Sequence, residues 1–182
     1  MIIFITGPSA SGKSTLRDFY CKKKSVVKIS AYTTRPKRIG EKEIHHSVSD
    51  DIFNTLESKG LLCLVAHNHG YQYGYLIDEI TKNNEFKMFE VDSVTAIKEK
   101  EILNATIVRI VPLNKYSALL KIMFKRDGVA DRIRDLFYQT NNKFLQERAR
   151  SGDIVFRNDY SENMFNEFSK LIDSLRGAFV SG

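Results

Sequence analysis

The residues with the clearest chemical potential lie at positions 7–14, which read Gly-Pro-Ser-Ala-Ser-Gly-Lys-Ser. Two glycines separated by four residues and followed by lysine and a hydroxyl residue form the phosphate-binding loop pattern. Gly7 and Gly12 allow backbone angles that let successive N–H groups point at one anion. Lys13 can bring an ammonium to the β- and γ-phosphates, and Ser14 can offer its hydroxyl to Mg²⁺. The pattern therefore predicts binding of a nucleoside triphosphate.

The elements that flank this loop support the prediction. An apolar strand over residues 2–6 runs into the loop, and a helical pattern over 13–23 begins at its lysine. A helix N-terminus attracts anions, so this context separates a phosphate loop from a chance glycine-rich turn. Further strands are predicted at 26–30, 61–66, 86–91, 105–111 and 154–156, and helices near 52–56, 78–82, 94–101, 115–126, 129–149 and 160–175. Alternation of this kind predicts an α/β fold with a central parallel sheet flanked by helices.

Length and composition indicate one globular domain. The chain has 182 residues, of which 42% are hydrophobic and 27% charged. Its apolar runs all fall short of the roughly 20 residues that cross a bilayer, so no membrane association is predicted. The N-terminus is expected to be a core strand and not a signal peptide. Cys21 and Cys63 lack metal-ligand spacing and are expected to be thiols in a reducing cytoplasm.

A formal net charge of +6 is typical of a protein that binds polyanions. The basic residues form short clusters, which favour small phosphorylated ligands over nucleic acid. These clusters are Arg35, Lys37 and Arg38, and then Lys125, Arg126, Arg132 and Arg134. Segment 32–80 breaks the regular alternation, as an inserted subdomain would.

Several further motifs, in chain order, resemble the guanylate kinase family of nucleoside monophosphate kinases. Residues 33–41, Thr-Thr-Arg-Pro-Lys-Arg-Ile-Gly-Glu, are similar to the family's loop that grips the acceptor phosphate. Residues 71–74, Tyr-Gln-Tyr-Gly, resemble the signature that closes the acceptor pocket. Asp92 matches an acid at a strand end near the reacting phosphates, and the Asn158-Asp159 pair matches residues near the adenine. The resemblance covers essentially the whole chain.

The resemblance implies a P-loop kinase fold in one domain, residues 1–182. Its core would comprise residues 1–31, 81–125 and 137–182, with an inserted acceptor-binding subdomain at 32–80 and a helical lid at about 126–136. The implied reaction moves the γ-phosphate of ATP, with Mg²⁺, to the phosphate of a small acceptor, by default GMP to give GDP. The protein is expected to be a cytoplasmic monomer or homodimer.

The resemblance also implies three sets of site residues. The implied ATP-binding residues are Gly7, Ser9, Ala10, Ser11, Gly12, Lys13, Ser14, Thr15 and Asn158, with Ser14 as the Mg²⁺ ligand. The implied acceptor-binding residues are Arg35, Arg38, His45, Tyr73 and Asp92. The implied catalytic residues are Lys13, Arg126, Arg132, Arg134 and Asp92.

Structural alternatives accompany several of these roles. Arg35 and Arg38 are three positions apart, so both guanidinium groups could reach one phosphate, but an exposed basic loop would look the same. The lid arginines could instead form salt bridges on a helix surface. Asp92 could cap the helix that follows it.

Three guanine-reading positions depart from the family pattern. Where guanylate kinases read guanine with a glutamate and with hydroxyl residues, this chain has Leu64, Tyr75 and Ala31. A leucine cannot accept hydrogen bonds from a guanine edge. Residues 61–70 and the His45-His46 pair resemble a related branch, the ribose 1,5-bisphosphate phosphokinases, which accept a sugar phosphate. A third alternative is a non-catalytic guanylate kinase-like binding domain, against which the complete phosphate loop argues.

Overall fold

The computed structural model describes residues 1–8, 10–26, 29–37, 45–68, 70–82, 85–113 and 153–180. The strands are β1 (Ile2–Thr6), β2 (Ala31–Thr33), β3 (His45–Ser47), β4 (Leu62–Asn68), β5 (Tyr71–Leu76), β6 (Lys87–Glu90), β7 (Ala105–Pro112) and β8 (Ile154–Asn158). The helices are α1 (Lys13–Lys24), α2 (Asp50–Ser58), α3 (Ile77–Thr81), α4 (Ser93–Glu99) and α5 (Met164–Val180). Of the helices within these ranges, none combines the length and apolar character that crossing a bilayer requires.

The central sheet has the strand order β6-β1-β7-β8, and all its pairs are parallel. Strands buried on both faces are nearly continuous apolar runs, as Ile2 to Ile5 of β1 show. In this register Ile5 lies beside Glu90 on one side and Val108 on the other. Because parallel strands all end at the same edge, the loop after β1 lies next to the ends of β6, β7 and β8.

Each face of the central sheet has its own apolar core. Residues of α1 and α5 pack on one face, where Leu16, Tyr20 and Phe168 bury Ile3 and Ile5. The second face packs against α4 and against a second sheet. That core includes Phe4, Phe89, Ala96, Leu64 and Tyr75.

The second sheet has the order β3-β2-β5-β4. Its β2–β3 pair is parallel, and its β2–β5 and β4–β5 pairs are antiparallel. The register of β4 against β5 shifts between Cys63 and Ala66, where Leu64 has a φ of 51°. Such a bulge redirects the strand locally and places the Leu64 side chain in the core.

The predicted α/β fold with a central parallel sheet is confirmed. The strand predicted at 26–30 is shifted, since the described residues 26, 29 and 30 lie outside any strand and β2 begins at Ala31. The reason is pairing, because Tyr32 and Thr33 are the residues that meet β5. Strands β3 and β5 were not predicted, since neither has an apolar run and each forms only by pairing with other strands, β3 with β2 and β5 with both β2 and β4. The helices predicted at 115–126 and 129–149, and the lid, lie outside the described residues.

Candidate active site

The loop after β1 uses backbone angles that favour glycine, and it does so at two glycines and at one alanine. Gly7, Ala10 and Gly12 have positive φ angles of 135°, 65° and 91°. Gly12 is the N-cap of α1 and makes no side-chain capping bond. The N–H groups of the first turn therefore donate to no capping side chain, and the positive end of the helix dipole faces the loop.

The end of β8 supports the loop from behind. Asn158 is fully buried, and its Nδ2 donates a hydrogen bond of 2.9 Å to the carbonyl oxygen of Ser11. The Tyr160 hydroxyl donates to the carbonyl oxygen of Ala10 at 3.1 Å, and the Tyr160 N–H donates to Asn158 Oδ1. Burial raises the pKa of Tyr160 to about 12, so this donor stays protonated further into the alkaline range than an exposed tyrosine would. The position predicted to lie near adenine is thus a structural support of the loop.

Lys13 and Ser11 provide polar groups inside the loop. Lys13 Nζ donates to the carbonyl oxygens of Gly7 and Pro8, both at 2.7 Å, so its ammonium lies over the loop. Ser11 is fully buried, and among the described residues its hydroxyl has no hydrogen-bond partner. A buried hydroxyl left without a partner costs about 1–3 kcal/mol, a cost that a bound ligand would remove.

Ser14 meets a carboxylate from the neighbouring strand. Its hydroxyl donates to Glu90 Oε2 at 3.0 Å, and Arg17 Nη1 lies 3.2 Å from Glu90 Oε1. A hydroxyl and a carboxylate are oxygen ligands of the kind that Mg²⁺ prefers, so these residues fit the ion implied by the loop. Burial alone would lower the pKa of Arg17, but the carboxylates of Glu90 and Asp18 outweigh it and raise that pKa.

Glu90 and Arg17 were missed by the sequence reasoning. Each nevertheless left a signal, since Glu90 ends an apolar strand two residues before Asp92. Arg17 lies three residues after Ser14, which places both on one side of a helix. The hydrogen bond from Ser14 to Glu90 joins residues 76 positions apart and depends on the β1–β6 pairing.

The second sheet brings three of the predicted acceptor-binding residues together. Thr33 pairs with Tyr73, and the rings of Tyr73 and His45 lie 6.2 Å apart in a T-shaped arrangement. Arg35 lies two residues after Thr33, just beyond the end of β2, and is largely buried. Its backbone N–H donates to Thr33 Oγ1, and its carbonyl oxygen accepts from Ser47 Oγ at 3.0 Å. Arg35 is therefore held against this sheet at both of its backbone groups.

Asp92 caps α4. Its Oδ1 accepts from the N–H groups of Val94 and Thr95, both at 3.0 Å. Its Oδ2 is buried without a hydrogen-bond partner among the described residues. One oxygen thus has the capping role, and the other is available for the predicted role near the phosphates.

The three positions that depart from the guanine-reading pattern are buried. Leu64, Tyr75 and Ala31 are 2%, 3% and 3% exposed. The Tyr75 hydroxyl donates to the carbonyl oxygen of Glu90 at 2.9 Å, and its ring packs edge-on against Phe89. Burial raises the pKa of Tyr75 well above its ordinary value.

The remaining predicted site residues divide into two groups. Thr15 is exposed on the first turn of α1. Ser9, Arg38, Arg126, Arg132 and Arg134 lie outside the described residues.

Comparison with known proteins agrees with this architecture. No family model and no curated protein matches the sequence. Among solved structures, the chain is similar to guanylate kinase from Anaplasma phagocytophilum, with a TM-score of 0.67 and 20% sequence identity. The similarity covers 98% of this chain and 85% of that chain. At this identity the likeness establishes the fold: the protein is an α/β protein with the guanylate kinase fold.

Proposed function

We propose that this protein is an ATP-dependent phosphotransferase that moves the γ-phosphate of ATP to the phosphate of a small acceptor. The observation that carries the proposal is the complete phosphate loop, with Lys13 over its carbonyl oxygens and Ser14 hydrogen-bonded to Glu90. The arginine-bearing segment at Arg35, on the second sheet, supplies a cation for the acceptor.

The chemistry of phosphoryl transfer suits these residues. The reaction needs two phosphates held in line and their negative charge offset, with little covalent participation by the protein. Lys13 and the loop N–H groups would hold the β- and γ-phosphates, while Arg35 and Tyr73 would orient the acceptor phosphate. Mg²⁺, when bound at Ser14, would supply further charge neutralisation. Arg126, Arg132 and Arg134 of the proposed lid would stabilise the transferring group.

Two acceptors are proposed. GMP is the default, because the fold is that of guanylate kinase. A sugar phosphate without a base, such as ribose 1,5-bisphosphate, is the second, and the burial of Leu64, Tyr75 and Ala31 favours it. The only hydroxyl among these three side chains already donates to Glu90, which leaves little at these positions to read a purine.

Product formation tests the proposal. ADP release from ATP and Mg²⁺ is measured in parallel with GMP, AMP, dGMP and ribose 1,5-bisphosphate. We expect turnover with at least one acceptor, and Lys13→Ala should lower it by about 100-fold or more because it removes charge that the transition state needs. Lys22→Ala, at an exposed position of the same helix, should retain it.

The possible results separate the alternatives. Efficient turnover with GMP would rule out a dedicated sugar phosphate kinase. Turnover with ribose 1,5-bisphosphate alone would rule out GMP. Absence of ADP with all four acceptors would instead favour the non-catalytic binding domain. Full activity of Lys13→Ala would contradict the assignment of the loop.

A further inference from the structure

Arg17 is a buried cation beside the phosphate loop that the reaction chemistry above does not use. It lies on α1, three residues after Ser14, and its side chain is 1% exposed. A guanidinium stays charged in proteins, so burying it is costly unless it is paired and hydrogen-bonded. The residues that pair with Arg17 therefore indicate its role.

Two carboxylates hold the guanidinium of Arg17. Its Nε and Nη2 atoms donate to Asp18 Oδ1 at 3.2 and 3.0 Å. Its Nη1 atom faces Glu90 Oε1 at 3.2 Å. The group is thus fixed on one side by Asp18 and directs its other side at Glu90.

Two side chains contact the two oxygens of the Glu90 carboxylate. Arg17 Nη1 forms an ion pair with Oε1 at 3.2 Å, although Oε1 accepts no hydrogen bond from the described residues, and Oε2 accepts from Ser14. The backbone carbonyl of the same residue accepts from Tyr75. With its proton directed to Glu90, the Ser14 hydroxyl turns its lone pairs away from that carboxylate.

We propose that Arg17 is a positioning residue, which holds Glu90 so that Ser14 presents an oxygen lone pair to the metal ion of a metal–nucleotide complex. The inference rests on the proposed function of the loop. It assigns the Arg17–Glu90 pair a role in the magnesium-dependent part of nucleotide binding, as distinct from binding of the phosphates themselves.

Binding of ADP measured with Mg²⁺ and, separately, with EDTA tests this role. The dissociation constant in EDTA divided by the dissociation constant with Mg²⁺ isolates the contribution of the metal, and a high ratio means that Mg²⁺ strengthens binding. Arg17→Met should lower that ratio by about three- to tenfold, the range that one hydrogen bond supplies, and leave binding in EDTA within about twofold. Arg17→Lys should restore part of the ratio. Lys22→Met removes an exposed cation from the same helix and should leave it unchanged.

A double-mutant cycle distinguishes positioning from core packing. If Arg17 acts through Ser14, then Arg17→Met should have no further effect on the ratio in a Ser14→Ala background. An equal loss in both backgrounds would overturn the proposal. A higher ratio in Arg17→Met would also overturn it, since Arg17 would then act by repelling the metal.

A substitute variant and a separate readout keep the test decisive. If Arg17→Met does not fold, Asp18→Asn replaces it, because it loosens the other side of the guanidinium at a half-buried position. Asp18→Asn should lower the ratio by about twofold, which corresponds to the low end of the free energy that one hydrogen bond contributes. An unchanged ratio would overturn the proposal. Failure of the proposed function would appear elsewhere, as absence of ADP release with every acceptor.

Discussion

Two features of the phosphate loop require glycine at position 12, namely a positive φ angle and a close approach to Asn158. Its φ of 91° belongs to the left-handed region, and a Cβ there would lie 2.6 Å from Asn158 Nδ2. The residue that completes the loop is thus also the one against which β8 packs. The hydrogen bond from Asn158 to Ser11 depends on this close approach.

Gly12→Ala should therefore weaken ADP binding by about tenfold or more, since backbone strain and displacement of Asn158 each cost about 1–3 kcal/mol. Isothermal titration calorimetry measures the affinity. The control is Gly60→Ala, whose φ of 65° is also positive but whose Cβ would meet nothing within 4 Å. Gly60→Ala should lower stability and leave ADP affinity unchanged; equal loss of affinity in both variants would contradict the role given to Asn158.

Helices α1 and α5 are joined by a small polar network at their shared face. The Tyr20 hydroxyl donates to Asp173 Oδ1 at 2.7 Å and accepts from Arg176 Nη1, and Lys24 forms an ion pair with Asp173. Because α1 also carries Lys13 and Ser14, the packing of α5 helps to position the loop.

Gly177 allows the stability of α5 to be changed without touching the site. A Cβ at this helical position would meet nothing within 4 Å. Gly177→Ala should raise the free energy of unfolding by about 0.5–1 kcal/mol, because alanine loses less conformational entropy in a helix. Denaturant unfolding measures the change, and ADP affinity should stay the same. A decrease in stability would show that the added methyl group disturbs the packing of α5.

At the scale of the whole molecule, the two sheets share one apolar layer. Leu64 and Tyr75 of the second sheet lie in the same core as Phe4 and Phe89 of the central sheet. The hydrogen bond from Tyr75 to Glu90 crosses this layer and ends at the strand that carries the candidate metal site. The second sheet is thus hydrogen-bonded to the end of β6, which lies beside the strand that leads into the phosphate loop.

Tyr75→Phe should lower the free energy of unfolding at pH 7 by about 0.5–1.5 kcal/mol, through loss of that hydrogen bond. It should also reduce the loss of stability in alkali. An unfolded tyrosine ionises near pH 10, whereas burial keeps Tyr75 protonated to higher pH, so the unfolded state loses the proton first. Stability from this group is therefore fully present below about pH 10 and falls as the pH rises further.

Unfolding free energies measured between pH 7 and about pH 11, a range that spans the ordinary tyrosine pKa, test this expectation. Tyr71→Phe, at an exposed position of the same strand, is the control. A slope that is the same for Tyr75→Phe and the parent protein would show that the alkaline loss arises from other groups.

The sequence alone determined the loop and the class of fold. The loop at residues 7–14 could be predicted because its glycines and the helix that follows them are local features of the chain. The alternation of apolar strands with helices was likewise sufficient for a parallel sheet. Arg35, His45 and Tyr73 were selected by motif, and β2, β3 and β5 bring them to one sheet.

Only the tertiary structure decided which side chains meet across the chain. Glu90 reaches Ser14 because β6 pairs with β1 in one register, and Arg17 reaches Glu90 because α1 packs on that face. The burial of Leu64 depends on the irregular register between β4 and β5, which the local sequence does not predict. Local conformation follows from adjacent residues, whereas register, bulges and the pairing of buried charges are decided by packing between segments far apart in sequence.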